Sequence, residues 1–273
     1  MKFPHLILAI SFAISAPLAG SGGELPSSPM VRIAGGDYRR PLERGDLTRR
    51  VDSYLLDVRQ VTNAEFLAFV IAHPSWQRSN VNSLFADAGY LAHWAGDTKL
   101  GPTAPPHSPV VRVSWHAARA FLKAHGKRLP TVDEWEFAAR ADDCRPDASD
   151  DPEFKRTILD WYAKPAPALL PAAGSRPPNL YGVRDMHGLV WEWTRDFVSA
   201  MTSGEARSDG SPDPLLFCGA GGADPNQATE YANFMRIAFR SALQGDFCLP
   251  ALGFRGAKDA PVHPLPPDHP HQP

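Results

Sequence analysis

The chain is short of cysteine, of surplus charge and of long apolar runs. Only Cys144, Cys218 and Cys248 are present among 273 residues. None forms a C-x-x-C pair, which removes thioredoxin-type redox sites and zinc ribbons from consideration. Lys and Arg number 28 against 30 Asp and Glu, a formal net charge of −2. Nucleic-acid affinity rests largely on a basic excess, so no nucleic-acid partner is expected. Past the N-terminal stretch, no apolar run approaches the roughly 20 residues of a membrane-spanning helix. Phosphate-cradling loops (G-x-x-x-x-G-K-[S/T], G-x-G-x-x-G) and the nucleophile elbow G-x-S-x-G are absent, and with them support for nucleotide binding or serine hydrolysis. The histidines show no H-E-x-x-H or H-x-x-x-H spacing, so there is no local metal-binding motif, and any metal is unknown at this level.

What is abundant is turn chemistry. The 28 Pro and 21 Gly imply many loops around an ordinary core. The N-terminus reads as a secretory signal peptide over residues 1–20: Lys2, an apolar run from Leu6 to Ala13, then small residues at Ser15, Ala16, Ala19 and Gly20. Export places the mature chain in the periplasm or outside the cell, with no membrane span once the signal is cleaved. Residues 30–260 form the folded domain, and the Pro/His-rich residues 261–273 read as a disordered tail.

Short strands are expected at Val31–Ile33 and Tyr54–Val58. Thr62 with Glu65, and Thr131 with Glu134, are capping boxes that open two helices, and Ser114 caps a third that stops at Gly126. VVRVSW (110–115), FMRIAFRS (234–241) and LGFR (252–255) read as strands; the strict alternation in the second sets Arg236 and Arg240 on one side. Residues 73–109 and 142–180 read as irregular connections. Nothing alternates as β-α-β-α, so a doubly wound sheet is not expected.

The segments VTNAEF (61–66), GKRLPTVDEWEF (126–137), YGVRDMHGLVWEW (181–193), RIAFRS (236–241) and LGFRGA (252–257) occur in an order that resembles the formylglycine-generating enzyme, or sulfatase-modifying factor, domain family. The resemblance implies an α+β fold that is irregular and loop-rich, low in secondary structure and related to the C-type lectin fold. It implies oxidation of a side chain in a protein or peptide substrate by an oxidoreductase using oxygen and copper(I) held by two cysteines. Counted back from Arg236 and Arg240, those two positions are Ala232 and Gln227, so the copper dithiolate is not matched. Leu189 stands where the family's calcium turn has Asn, which puts calcium in doubt. The chain is most similar to small exported members, and FCGAGG followed by YANFMRIAFRS to the nitrite-reductase-associated group. Two functions follow: oxidative maturation of a protein or peptide without the copper pair, or a non-catalytic periplasmic accessory module that assists a metalloenzyme such as nitrite reductase.

Several residues have competing readings. Cys218 opens a Gly-rich turn and is a redox candidate, a disulfide partner for Cys248 or an inert thiol. Glu192 is a general base, a residual metal ligand or a satisfied buried carboxylate. Arg236 and Arg240 line a substrate groove with Trp191 and Trp193. Otherwise the arginines, with Arg255, pair with Glu134, Glu136 or Glu192, and the two Trp pack in the core.

Overall fold

The computed structural model describes residues 27–41, 48–197 and 225–261; for 225–230 it describes the backbone alone. Strands β1 (Met30–Ile33), β4 (Tyr54–Asp57) and β7 (Ala257–Asp259) form an antiparallel sheet in the order β1-β4-β7, and β2 (Gly36–Tyr38) pairs with β3 (Arg49–Val51). Strands β5 (Trp191–Glu192) and β6 (Leu252–Gly253) run parallel, with Glu192 opposite Gly253. Gly253 is required there, because a Cβ would stand 2.7 Å from the Val110 carbonyl oxygen.

Three helices begin where their caps predict. In α1 (Asn63–Ala72) the Thr62–Glu65 capping box is closed in both directions. Ser114 caps α2 (Trp115–Ala124), which Gly126 terminates at φ 62°. Thr131 and Glu134 close the box of α3 (Val132–Ala139). One core gathers Phe66, Phe69, Phe121, Trp193 and Phe254; a second gathers Tyr54, Leu56, Trp135 and Val183. No helix among the described residues is long and apolar enough to cross a membrane.

Three expectations are corrected. Residues 234–241 are not a strand but the end of helix α5 (Pro225–Ser241). Ala232, Arg236, Arg240 and Leu243 are buried, which is a helical face rather than a two-residue alternation. Residues spaced by four share a side in either structure, so the arginine spacing alone did not separate the two. Residues 110–115 form no strand either: Arg112 takes φ 55°, and the segment's N–H groups go to separate carbonyls, Val110 to Val61 and Arg112 to Leu249. Residues 142–180 are not wholly irregular, since they contain helix α4 (Pro152–Tyr162). Asp151 caps it, Pro152 occupies its first turn and Ile158 is its one buried residue.

Candidate functional site

Two buried carboxylates organise the centre of the molecule, each placed by a different element. Glu192 lies on β5, and the parallel pairing with β6 brings Arg255 beside it. Arg255 donates to Glu192 through Nε and Nη2, each at 2.7 Å. Gln60 Nε2 donates to Oε1 at 2.7 Å and Trp135 Nε1 to Oε2 at 2.9 Å. Neither side chain of the ion pair is exposed. The remaining donors of Arg255 reach backbone carbonyls, Arg184 O at 2.9 Å and Asp57 O at 3.3 Å. Each Glu192 oxygen thus accepts two hydrogen bonds, which matches the acceptor capacity of a carboxylate.

Glu136 lies on α3 and meets two arginines of α5. Arg236 forks onto it, Nε to Oε1 at 3.1 Å and Nη2 to Oε2 at 2.9 Å. Arg240 Nη1 reaches Oε1 at 2.5 Å, and its guanidinium lies 4.5 Å above the Trp135 ring. Arg236 also donates to Asn233 Oδ1 at 2.6 Å and to the Tyr162 hydroxyl at 3.3 Å. Burial by itself would raise the Glu136 pKa; the charges and hydrogen bonds of the two arginines overturn that and hold it at about 2. The ring of His187 stands edge-on to Trp135, with Nε2 2.9 Å from Ala139 O. Burial, then the charge of Arg236, pushes its pKa down to about 3, so the ring is neutral near pH 7.

Aromatic rings adjoin this charge cluster through Tyr162. Trp191 is half-buried and stacks on Phe239 at 4.5 Å and on Tyr162 at 5.0 Å, with Trp161 at 5.1 Å. Of the four groove candidates, Arg236, Arg240 and Trp191 are therefore brought together. Trp193 is not: it is fully buried, and its Nε1 donates to Val113 O at 2.9 Å. Tyr162, Asn233 and His187 belong to the cluster and were missed as site residues. Tyr162 sits on the helix read as an irregular connection, and no local pattern marks the others.

Cys218 lies outside the described residues. Cys144 and Cys248 are free thiols. Cys248 is buried with Sγ 3.3 Å from Asp246 O, and burial pushes its pKa up, away from a metal-binding thiolate. Ala232, where the family resemblance sets the nearer copper thiolate, presents a buried methyl on the face that carries Arg236 and Arg240. These residues do not fit a soft copper(I) ion, which needs convergent thiolates. Nor does Glu192 fit calcium, since a hard cation would have to displace Arg255 from both oxygens. Asp142, Asp143 and Cys144 form an exposed acidic group with ligand atoms within 4.8 Å; Asp142 is already engaged by Arg145.

Comparison with known proteins agrees with this fold. The model of the sulfatase-modifying factor enzyme 1-like domain matches residues 18–260. The chain is 30% identical over 313 residues to the formylglycine-generating enzyme of Streptomyces coelicolor, covering 91% of this chain and 97% of that one. It is 38% identical over 107 residues to the inactive C-alpha-formylglycine-generating enzyme 2 of Bos taurus, 32% of each. It also matches the serine/threonine-protein kinase pkn1 of Chlamydia pneumoniae at 30% identity over 62% of this chain, but spans only 28% of that protein's length. Among solved structures, PvdO from Pseudomonas aeruginosa gives a TM-score of 0.48 at 18% identity, with 85% of this chain and 95% of that one covered. By its motifs, by the family model's match over residues 18–260 and by the similarity to the Streptomyces coelicolor enzyme, the chain belongs to the sulfatase-modifying factor enzyme 1-like domain family.

Proposed function

We propose that the protein is a polypeptide-binding member of its family that works without copper-dithiolate chemistry, as an accessory to another protein. The observation that carries this reading is Ala232. A methyl group stands on the buried face of α5 where the resemblance sets a copper thiolate, and a methyl holds no metal. The binding face is the aromatic surface of Trp191, Phe239, Tyr162 and Trp161. Beside it, one carboxylate serves two guanidiniums, which leaves a surplus positive charge suited to an acidic partner segment. Export to the periplasm, kinship with C-type lectins and service to a metalloenzyme such as nitrite reductase are parts of the same proposal, the first supported by the N-terminal segment, the second by the family resemblance and the third by FCGAGG with YANFMRIAFRS.

A second reading is oxidative maturation of a protein or peptide, with Cys218 as the redox group; Glu192, whose two oxygens are taken up by Arg255, Gln60 and Trp135, is not free to serve as its base. The full-length similarity to the Streptomyces coelicolor formylglycine-generating enzyme favours it. Anaerobic copper(I) titration of the mature protein, followed by incubation with a CxPxR peptide and oxygen, separates the two. The accessory reading expects no stoichiometric copper and no aldehyde. Tight one-to-one copper binding that Cys218→Ser abolishes, with aldehyde formed, overturns it.

A further inference from the structure

Away from the two carboxylate centres, two cationic or polar side chains, His93 and Arg112, have no partners among the described residues. Both ring nitrogens of His93 are buried and neither has a hydrogen bond. A buried donor or acceptor left unmade is costly, so this ring calls for a group that no described residue supplies. The Arg112 carbonyl accepts from the N–H of Leu91, two residues from His93, and burial first, then the charge of Arg112, brings the His93 pKa down to about 4. Among the described residues the Arg112 guanidinium has no hydrogen bond or ion pair. Neighbouring Arg78 differs, because its Nη1 donates to Trp94 O at 3.0 Å.

The backbone at this place is strained. Among described non-glycine residues, left-handed φ occurs at Leu91 (47°), Arg112 (55°) and Asp185 (55°). Two of those three are bonded to each other, since Leu91 N–H donates to Arg112 O at 2.9 Å. A left-handed backbone is costly for any residue that carries a Cβ. The fold bears that cost twice in one hydrogen-bonded pair, whose Leu91 is two residues from His93. The turn at Arg112 also sets the direction in which its guanidinium leaves the chain.

We propose that His93 and Arg112 form a receptor for one small anion, a carboxylate or an inorganic oxyanion. A guanidinium only donates, and an imidazole N–H donates as well, so what the pair lacks is an acceptor with negative charge. The ring is neutral at pH 7 and offers one N–H; protonated, it offers two and a charge. Anion binding and ring protonation therefore reinforce each other, and affinity rises as the pH falls.

The test is a titration of the full-length protein, carrying 15N-labelled histidine, with sodium acetate and separately with sodium sulfate, at pH 7 and pH 5. Saturable movement of the His93 ring nitrogens, several-fold tighter at pH 5, is expected for at least one of the two anions. Acetate alone identifies a carboxylate receptor, and sulfate alone an oxyanion receptor. Arg112→Gly removes the guanidinium while glycine accepts the left-handed turn without strain; affinity should fall at least tenfold with no loss of thermal stability. Arg112→Asn, which also tolerates that turn, serves if the first variant does not fold. An unsaturable drift of the His93 signals, or equal affinity in the variant, overturns the proposal and leaves a trapped water as the partner of the ring.

Discussion

Glu136 and Glu192 are both buried and both held by arginine, yet they differ in one count. Glu192 has one guanidinium, closed by Gln60 and Trp135 into a neutral unit with no exposed side-chain surface. Glu136 has two, so that centre keeps one positive charge in excess. The first is a cross-link that joins β5 to the segment after β6. The second is out of balance, and through Tyr162 it adjoins a group of half-buried aromatic rings. An arginine pair that leaves no charge over suits holding a fold together; one that leaves charge over suits meeting something else.

The largest effect should come from taking the carboxylate out of the unbalanced centre. Glu136→Gln leaves two buried guanidiniums without a counter-ion, and breaking a buried pair costs about 3–5 kcal/mol. The upper end is expected, a drop in melting temperature of roughly 10–20 °C. A change below about 3 °C by calorimetry would mean that the arginines are solvated and that the cluster is not buried as described. Next comes the balanced centre. Arg255→Met strands Glu192, but Gln60 and Trp135 still donate to it, so a loss of about 3 kcal/mol is expected from the same measurement. A loss as large as that of Glu136→Gln would erase the distinction between the centres.

Acid offers a gentler probe of the same contrast. The folded pKa of Glu136 lies at about 2, below its ordinary 4.5. A depressed carboxylate contributes stability that is complete above the unfolded value and is lost as the pH falls from 4.5 toward 2, here on the order of 3 kcal/mol. Unfolding of the wild type between pH 5 and 2 should show that limb, and Glu136→Gln should lack its share. Parallel curves for the two proteins would sink the assignment.

Much of this arrangement was legible in the residues, and what was not has physical reasons. Capping boxes are local chemistry, and α1 and α3 begin where Thr62 and Thr131 say. Arg236 and Arg240 were legible as a pair, but a spacing of four serves helix and strand alike, so α5 was read as a strand. Helix α4 buries only Ile158 fully, but Phe154, Ile158, Trp161 and Tyr162 recur at helical spacing behind the Asp151 cap and Pro152, a signal the reading of 142–180 as irregular passed over. The choice among Glu134, Glu136 and Glu192 as arginine partners is set by which elements pack together. Glu134 is used by its capping box and by Arg128, which leaves Glu136, two residues on and so on the opposite side of α3, to face α5. The strained pair Leu91 and Arg112 lay within segments read as a loop and a strand, and no residue type there announces a left-handed turn.

The smallest effect on stability is expected where the two centres should differ most. Arg240→Met removes the surplus guanidinium and keeps an apolar side chain over the Trp135 ring. What remains is Glu136 with Arg236 alone, a neutral forked pair like that of Glu192 with Arg255. Removing an arginine from the balanced centre strands a carboxylate; removing this one strands nothing, and it ends the cost of burying an uncompensated charge. The loss should therefore be no more than about 1 kcal/mol, well under half that of Arg255→Met, read as a melting-temperature change of roughly 4 °C or less. If the extra arginine serves recognition, the variant should fold normally and bind its partner polypeptide more weakly, with less dependence on salt. A loss equal to that of Arg255→Met would make Arg240 a structural member of the cluster, and the surplus charge would then no longer support an acidic partner.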